Sequence, residues 1–266
     1  MTRVAARGAL ALVTVAMALP ILYLLSVSVR TNDDVLNGQW LPTALYWENW
    51  PKVFETIPLS TMLANSWLVS AGAALLTAAV AVPAAYYTAR ARRGPKLGTL
   101  LLASYCAPPV VAVLPLYYLL KTTGLTNSLL GLILVTGLAN VPVAVWLLEG
   151  FVRRVPAELE EAAWLDGLGS GRTLGRIVLP LIAPGVVAAL LICLFLSYNE
   201  FLFAVSFSQT TGSQTLPVGL SLFQGDRTVQ FGQQAAASLI AVVPMYVVAV
   251  IAQRWLVSGL TTGALK

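Results

Sequence analysis

An all-α membrane protein with six spanning helices is the fold that the sequence predicts, and three observations predict it. Of 266 residues, 58% are apolar and only 10% are charged. A soluble domain carries about 45–50% apolar and about 25% charged residues, so the polar material needed to cover a globular surface is missing. Six apolar runs, free of charge but for Glu200 near the end of the fifth, each reach the roughly 20 residues that a helix needs to cross a bilayer. Basic residues gather in alternate connections, the asymmetry that orients spans in a membrane. Six spans take about 120 residues, which leaves no room for a separate soluble catalytic domain. Histidine is absent, so Ser-His-Asp triads, His-rich zinc sites and His proton relays are excluded, and no enzyme is predicted.

The first run, at about 8–29, follows Arg3 and Arg7. Ala16-Met17-Ala18 has the small-x-small pattern of a signal-peptidase site, but the apolar stretch continues to Val29, longer than a signal core, and predicts a retained anchor. The loop at about 30–62 mixes Asp33, Asp34, Glu48 and Glu55 with Trp40, Trp47 and Trp50, a composition suited to a membrane surface and to a short interfacial helix. Further runs lie at about 63–89, 97–120, 128–148, 181–203 and 233–253. The stretch at about 206–232 is turn-rich (Thr210-Thr211-Gly212-Ser213-Gln214) and reads as a loop rather than a seventh span.

With the N-terminus inside, Arg3, Arg7, Arg90, Arg92, Arg93, Lys96, Arg153, Arg154, Arg172, Arg176, Arg254 and Lys266 are cytoplasmic, and only Arg30, Lys52, Lys121 and Arg227 are outside. Both ends are then cytoplasmic. Pro20, Pro83, Pro108, Pro109, Pro115, Pro142, Pro184 and Pro244 fall within the runs and predict kinked helices, as in transporters whose non-ideal backbone lines a cavity. Proline is also commoner in membrane helices generally, and both readings stand at this point. Cys106 and Cys193 lie in apolar stretches and read as small buried side chains.

The loop at 149–180 carries the chemistry. Pro156 suits a first helical position, and Glu158, Glu160 and Glu161 occupy opening turns, where the helix dipole favours carboxylates. Gly167, Gly169 and Gly171 break the helix, and a second short helix over Arg172 to Val178 is expected to stop before Pro180. Gly167-Leu168-Gly169-Ser170-Gly171 lacks the lysine and serine of a P-loop and any preceding strand, so it is not a nucleotide site. From composition alone, a solvated amphipathic loop without a partner is an equal reading.

Glu161-Ala162-Ala163, Gly167, Ile177, Leu179 and Pro180 match the spacing EAA, three residues, G, nine residues, I-x-LP: seven identities. This resembles the cytoplasmic signature of ABC importer permeases. Gly124-Leu125-Thr126-Asn127 with Leu132-Ile133-Leu134, Asn199 to Ala204, Thr215 to Leu220 and Gly259 to Lys266 extend the resemblance along most of the chain. They are similar to segments of carbohydrate-importer permeases of the MalG-like family, with the type I importer fold. Tyr198 stands where that family has tryptophan, and Leu168 where alanine is usual.

The resemblance divides the chain into a first helix and outer loop (1–60), a permease core (61–255) with a coupling helix at 156–180, and a tail (256–266) that either reaches between ATPase subunits or frays. It implies ATPase coupling through Glu161, Ala162, Ala163, Asp166, Gly167, Ile177, Leu179 and Pro180. It implies a second, different permease, two cytoplasmic ATPase subunits carrying ATP and Mg, an extracytoplasmic solute-binding protein and a sugar substrate, in a bacterial cytoplasmic membrane. No cofactor or metal on this chain and no nucleic acid are expected. Glu200 is the one acid inside a predicted run. Such a group faces a cavity or sits at the headgroups, so Tyr198, Asn199, Glu200 and Phe201 are candidates for the translocation path. An autonomous six-span carrier or channel is the alternative, but it has no need of the glutamate-alanine-alanine hairpin.

Overall fold

The computed structural model describes residues 3–91, 94–225 and 229–261. The named elements among them are helical: α1 (Arg3–Ser28), α2 (Asn32–Leu36), α3 (Asn49–Thr56), α4 (Leu59–Arg90), α5 (Gly94–Tyr105), α6 (Pro109–Thr122), α7 (Leu129–Ala139), α8 (Val141–Val152), α9 (Ala157–Leu165), α10 (Ser170–Thr173), α11 (Leu179–Tyr198), α12 (Leu202–Phe207), α13 (Leu216–Ser221) and α14 (Phe231–Thr261). Four helical stretches are individually long and apolar enough to cross a membrane: Arg7–Ser28, Leu59–Arg90, Ser170–Tyr198 and Phe231–Gln253. Two bent pairs, Lys96–Tyr105 with Pro109–Thr122 and Leu129–Ala139 with Val141–Val152, bring the number to six if each pair is one span.

The bent pairs show what proline does here. Pro20, Pro83, Pro115, Pro184 and Pro244 sit inside continuous helices. The doublet Pro108-Pro109 instead breaks the third run outright, with a bend of 91°. Pro109 forbids a helical conformation at the residue before it, and Pro108 duly takes φ −58°, ψ 121°. The fourth run bends by 46° at Asn140, which caps α7 and precedes α8 with Pro142 in its first turn. Cys106 lies at the first break and is exposed, contrary to the expectation of a buried side chain, whereas Cys193 is buried.

The chain forms two compact units. One comprises 1–63 and 216–246, the other 64–215 and 247–266, so α4 and α14 contribute to both. In the first unit, Asn49 Nδ2 donates to the carbonyls of Ser28 (3.0 Å) and Arg30 (2.8 Å), fixing α3 to the end of α1. Arg30 is buried; it donates to the carbonyls of Ser26 and Gln39, and its guanidinium lies 5.3 Å from the Tyr23 ring centroid. Carbonyl oxygens and an aromatic face thus replace water around this charge. The stretch 30–62, for which one short helix is expected, holds two, α2 and α3. Thr31 accepts from Asp34 N at the start of α2, a standard N-cap.

In the second unit, Ala74, Ala81 and Ala85 of α4 meet Val141, Ala144, Val145 and Leu148 of α8 and Ala189 and Cys193 of α11. Small side chains let these helices approach closely, the usual means of association in a bilayer. At Gly185 a Cβ would fall 2.5 Å from the Phe151 ring, so glycine is what admits the α8–α11 contact. Buried Asn140 donates to Ser197 Oγ (2.9 Å), tying the bend of the fourth run to α11. Helix α14 continues through Thr261; the tail from Thr262 to Lys266 and the basic residues Arg92, Arg93 and Arg227 lie outside the described residues.

Candidate functional site

Between α8 and α11 the chain makes a polar hairpin. Pro156, with φ −58° and ψ 132°, caps α9 rather than occupying its first turn; its ring excludes helix at Val155 and its missing N–H costs nothing there. Glu158 and Glu160 then sit in the first turn of α9, at the positive end of its dipole. At the other end Gly167 has φ +82°, Leu168 N donates to Ala163 O (2.9 Å) and Gly167 N to Trp164 O (3.0 Å). These two bonds form a Schellman motif, which satisfies the last carbonyls and requires a left-handed residue.

The return helix differs from expectation. It does not stop before Pro180 but runs from Ser170 to Tyr198 without interruption. Leu174–Val178 is a widened π turn. Pro180 has no N–H to give to Arg176 O and its ring crowds that carbonyl, and widening the preceding turn relieves both. The return helix of the hairpin is therefore continuous with the fifth span.

Two neighbouring glutamates on α9 have opposite fates. Glu160 is 1% exposed. Its Oε1 accepts from Arg90 Nε (2.8 Å) and lies 2.7 Å from Arg90 Nη2, and its Oε2 accepts from the Tyr86 hydroxyl (2.7 Å). Arg90 Nη2 also donates to Val155 O (2.6 Å). Below this polar cluster, Val152, Val155, Val178 and Ile182 are buried together with Tyr86, Ala89, Phe151 and Leu174 packed on them. Glu161, by contrast, is exposed, as are Ala162, Asp166, Leu179 and Pro180; Ala163 is buried and Ile177 half-buried. Trp164 is 48% and Leu165 90% exposed.

Glu161, Ala162, Ala163, Asp166 and Gly167 therefore lie on α9 and its exit, and Ile177, Leu179 and Pro180 on the return helix, most of them facing outward. The sequence reading missed the anchor, Glu160 with Arg90 and Tyr86. Its one local signal was the Glu160-Glu161 doublet: adjacent helical positions point about 100° apart, so a helix lying on a surface cannot expose both equally.

At the far end of α11 the four path candidates separate. Tyr198 is buried, its ring tilted against Trp67 at 5.7 Å between centroids. Asn199 is exposed and donates to Phe195 O (2.9 Å). Phe201 is exposed. Glu200 is half-buried, and its carboxylate accepts from Phe203 N (2.9 Å) and Ala204 N (3.0 Å), capping α12. The fifth span ends at Tyr198, not near residue 203 as its hydropathy implied, so Glu200 lies in a break between helices. Beyond it, Asn127 Oδ1 accepts from Gln209 N (2.8 Å), Thr210 N (3.0 Å) and Ser213 Oγ (2.5 Å), and Asn127 N donates to Phe207 O (2.9 Å). Asn65 Nδ2 donates to the carbonyls of Gly212 and Gln214.

Apolar helices of spanning length, proline-broken spans and a polar helical hairpin with an exposed apolar tip define a multi-pass membrane protein of the transport-permease class. A family model described as binding-protein-dependent transport system inner membrane component matches residues 81–262. The chain belongs to this family, whose members are non-catalytic membrane subunits of ABC transporters. It is 35% identical over 253 residues to the sulfoquinovosyl glycerol transport system permease protein SmoH of Agrobacterium fabrum, covering 93% of this chain and 88% of that protein. It is 32% identical over 257 residues to the trehalose transport system permease protein SugB of Mycobacterium tuberculosis, covering 93% and 92%. The fold matches the crystal structure of a bacterial ABC transporter involved in the import of the acidic polysaccharide alginate, with TM-score 0.76 and 20% identity over 94% of this chain and 95% of that one.

Proposed function

We propose that this chain is the permease subunit of a carbohydrate importer in a bacterial cytoplasmic membrane, with both termini and the 156–180 hairpin on the cytoplasmic side. The hairpin docks on an ATPase subunit, and nucleotide-driven closure of two such subunits, which carry ATP and Mg, drives alternating access. A second permease and an extracytoplasmic solute-binding protein complete the assembly. The basic residues of the connections support the orientation, and the solutes for which the two relatives are named, sulfoquinovosyl glycerol and trehalose, support the carbohydrate class.

The observation that carries the reading is the outward face of α9: Trp164 and the almost fully exposed Leu165 beside Glu161, on a helix held from behind by Glu160 and Ala163. A large apolar side chain presented on a rigid polar hairpin suits an anchor for a groove, and a neighbouring carboxylate adds a charge-assisted contact. The path is proposed at the break after α11, where Asn199 and Phe201 are exposed, Glu200 holds the backbone by capping α12, and Tyr198 supports it from within.

Glu161→Lys tests the reading. Expressed with its partner subunits, the variant is expected to insert normally but to lose ATPase co-purification and uptake by more than about tenfold, since a charge reversal at a docking carboxylate leaves like charges opposed. Undiminished uptake would rule the hairpin out as the ATPase contact.

A further inference from the structure

The hairpin is covalently continuous with α11 and is joined to α8 through residues 153–156, but its link to α4 is non-covalent. The polypeptide leaves α4 at Arg90 and meets it again 65 and 70 positions later, at Val155 and Glu160. We propose that Arg90 is a positioning residue for coupling: its guanidinium ties α9 to the end of α4, so that displacement of the hairpin moves α4 with it. This rests on the reading of the hairpin as the ATPase contact.

Three features separate this cluster from ordinary packing. The apolar side chains beneath it, Val152, Val155, Val178 and Ile182, can slide past one another at little cost, whereas separating the ion pair would leave the Glu160 carboxylate, whose side chain is 2% exposed, without its cation and out of water. The guanidinium grips two different segments at once, the carboxylate of α9 and the carbonyl of the connector before it, which fixes the direction of α9 as well as its distance. Both Glu160 oxygens are engaged, one by Arg90 and the other by the Tyr86 hydroxyl one helical turn earlier on α4, so the carboxylate is held at both oxygens. Glu161 next to it stays exposed, and the two functions of contact and anchorage fall on adjacent residues.

The experiment uses the assembled importer, the chain with its co-purifying partners, carrying spin labels at Glu158→Cys on α9 and Tyr87→Cys on α4, both exposed positions, with Cys106 and Cys193 replaced by Ser. The interlabel distance is measured without nucleotide and with the non-hydrolysable analogue AMP-PNP and Mg. With Arg90 intact, the distance is expected to stay the same in both states because the two helices move together. In Arg90→Lys, which keeps the charge but loses the fork, and in Glu160→Gln, AMP-PNP is expected to shift or broaden it by about 2 Å or more, the scale of helix shifts in coupled transitions. Tyr86→Phe, which removes one hydroxyl and should assemble normally, is expected to give a smaller change in the same direction. A distance that ignores nucleotide in all three variants overturns the proposal, as does failure of Arg90→Lys to assemble, which marks the pair as structural only. If the unmutated chain does not co-purify with an ATPase at all, the functional reading itself falls, an outcome distinct from either.

Discussion

The two ends of α11 solve the same problem in opposite ways. Each is a turn between helices bearing an acidic residue next to aromatic and apolar ones. At the N-terminal end, the hairpin satisfies its backbone internally through the Schellman bonds of Gly167 and Leu168 and buries one acid, Glu160, against Arg90. That leaves Glu161 and Leu165 exposed, with capacity for a partner. At the C-terminal end, Glu200 is occupied by the amides of Phe203 and Ala204, and the 207–213 loop folds around the Asn127 side chain. The second turn consumes its polar groups within the chain, whereas the first anchors itself with some and leaves others exposed, the arrangement on which the docking proposal rests.

The sharpest way to break this contrast is Gly167→Val. A β-branched residue at φ +82° is strongly disfavoured, and the Schellman bonds that end α9 should be lost. The expected outcome is a loss of uptake of about tenfold or more with membrane insertion retained, because the strain of about 1–3 kcal/mol acts on the tip and not on the spans. Uptake in whole cells, set against the amount of the chain in isolated membranes, separates the two. Leu165→Asp should come next. The side chain is 90% exposed, so the change disturbs little internal packing, yet it should weaken ATPase co-purification by about 2 kcal/mol, roughly thirtyfold, if Leu165 is an interface anchor. Unchanged co-purification would make the tip a bystander.

At the other end of α11 the expected effect is on stability alone. Asn127 combines a left-handed backbone (φ +55°) with an oxygen that receives several donors from 209–213. Asn127→Ala removes both advantages and should destabilise the loop by about 1–2 kcal/mol, measured as faster proteolytic nicking between 207 and 214 and a lower thermal midpoint in detergent. Asn127→Asp, which keeps the acceptor, should recover most of it. The amount of solute moved per ATP hydrolysed should be the same in all three proteins.

Much of this contrast could be read from the amino-acid sequence, for reasons particular to each part. The spans were legible because length and apolarity are local properties, and the hairpin because its glycine and proline spacing is local too. The break at Pro108-Pro109 was foreseen only as a kink: one proline bends a helix, and a doublet removes the helical option from the residue between strand-like and helical backbone. By hydropathy the fifth span starts about ten residues late, because a π turn carries the helix through Pro180, a relief that hydropathy does not register. By sequence Arg90 reads only as a basic residue of a connection and Glu160 only as a carboxylate near a helix dipole. Their pairing depends on how α4 and α9 meet, which no window along the chain contains.

The smallest effect is expected at Glu200. By sequence it reads as a charge inside a span, and the break after Tyr198 instead gives its carboxylate two backbone amides. Glutamine can still offer one carbonyl oxygen to the same amides, so Glu200→Gln should cost only about 0.5–1 kcal/mol through the lost charge at the start of α12 and one weakened bond. Uptake should change by less than about threefold at that cost, while Glu200→Ala, which leaves both amides without a cap, should lower the thermal midpoint further. If Glu200→Gln instead abolished uptake with the midpoint unchanged, the charge itself would be required by the moving solute, and the C-terminal end of α11 would join the hairpin as a site that keeps a carboxylate free for something outside the chain.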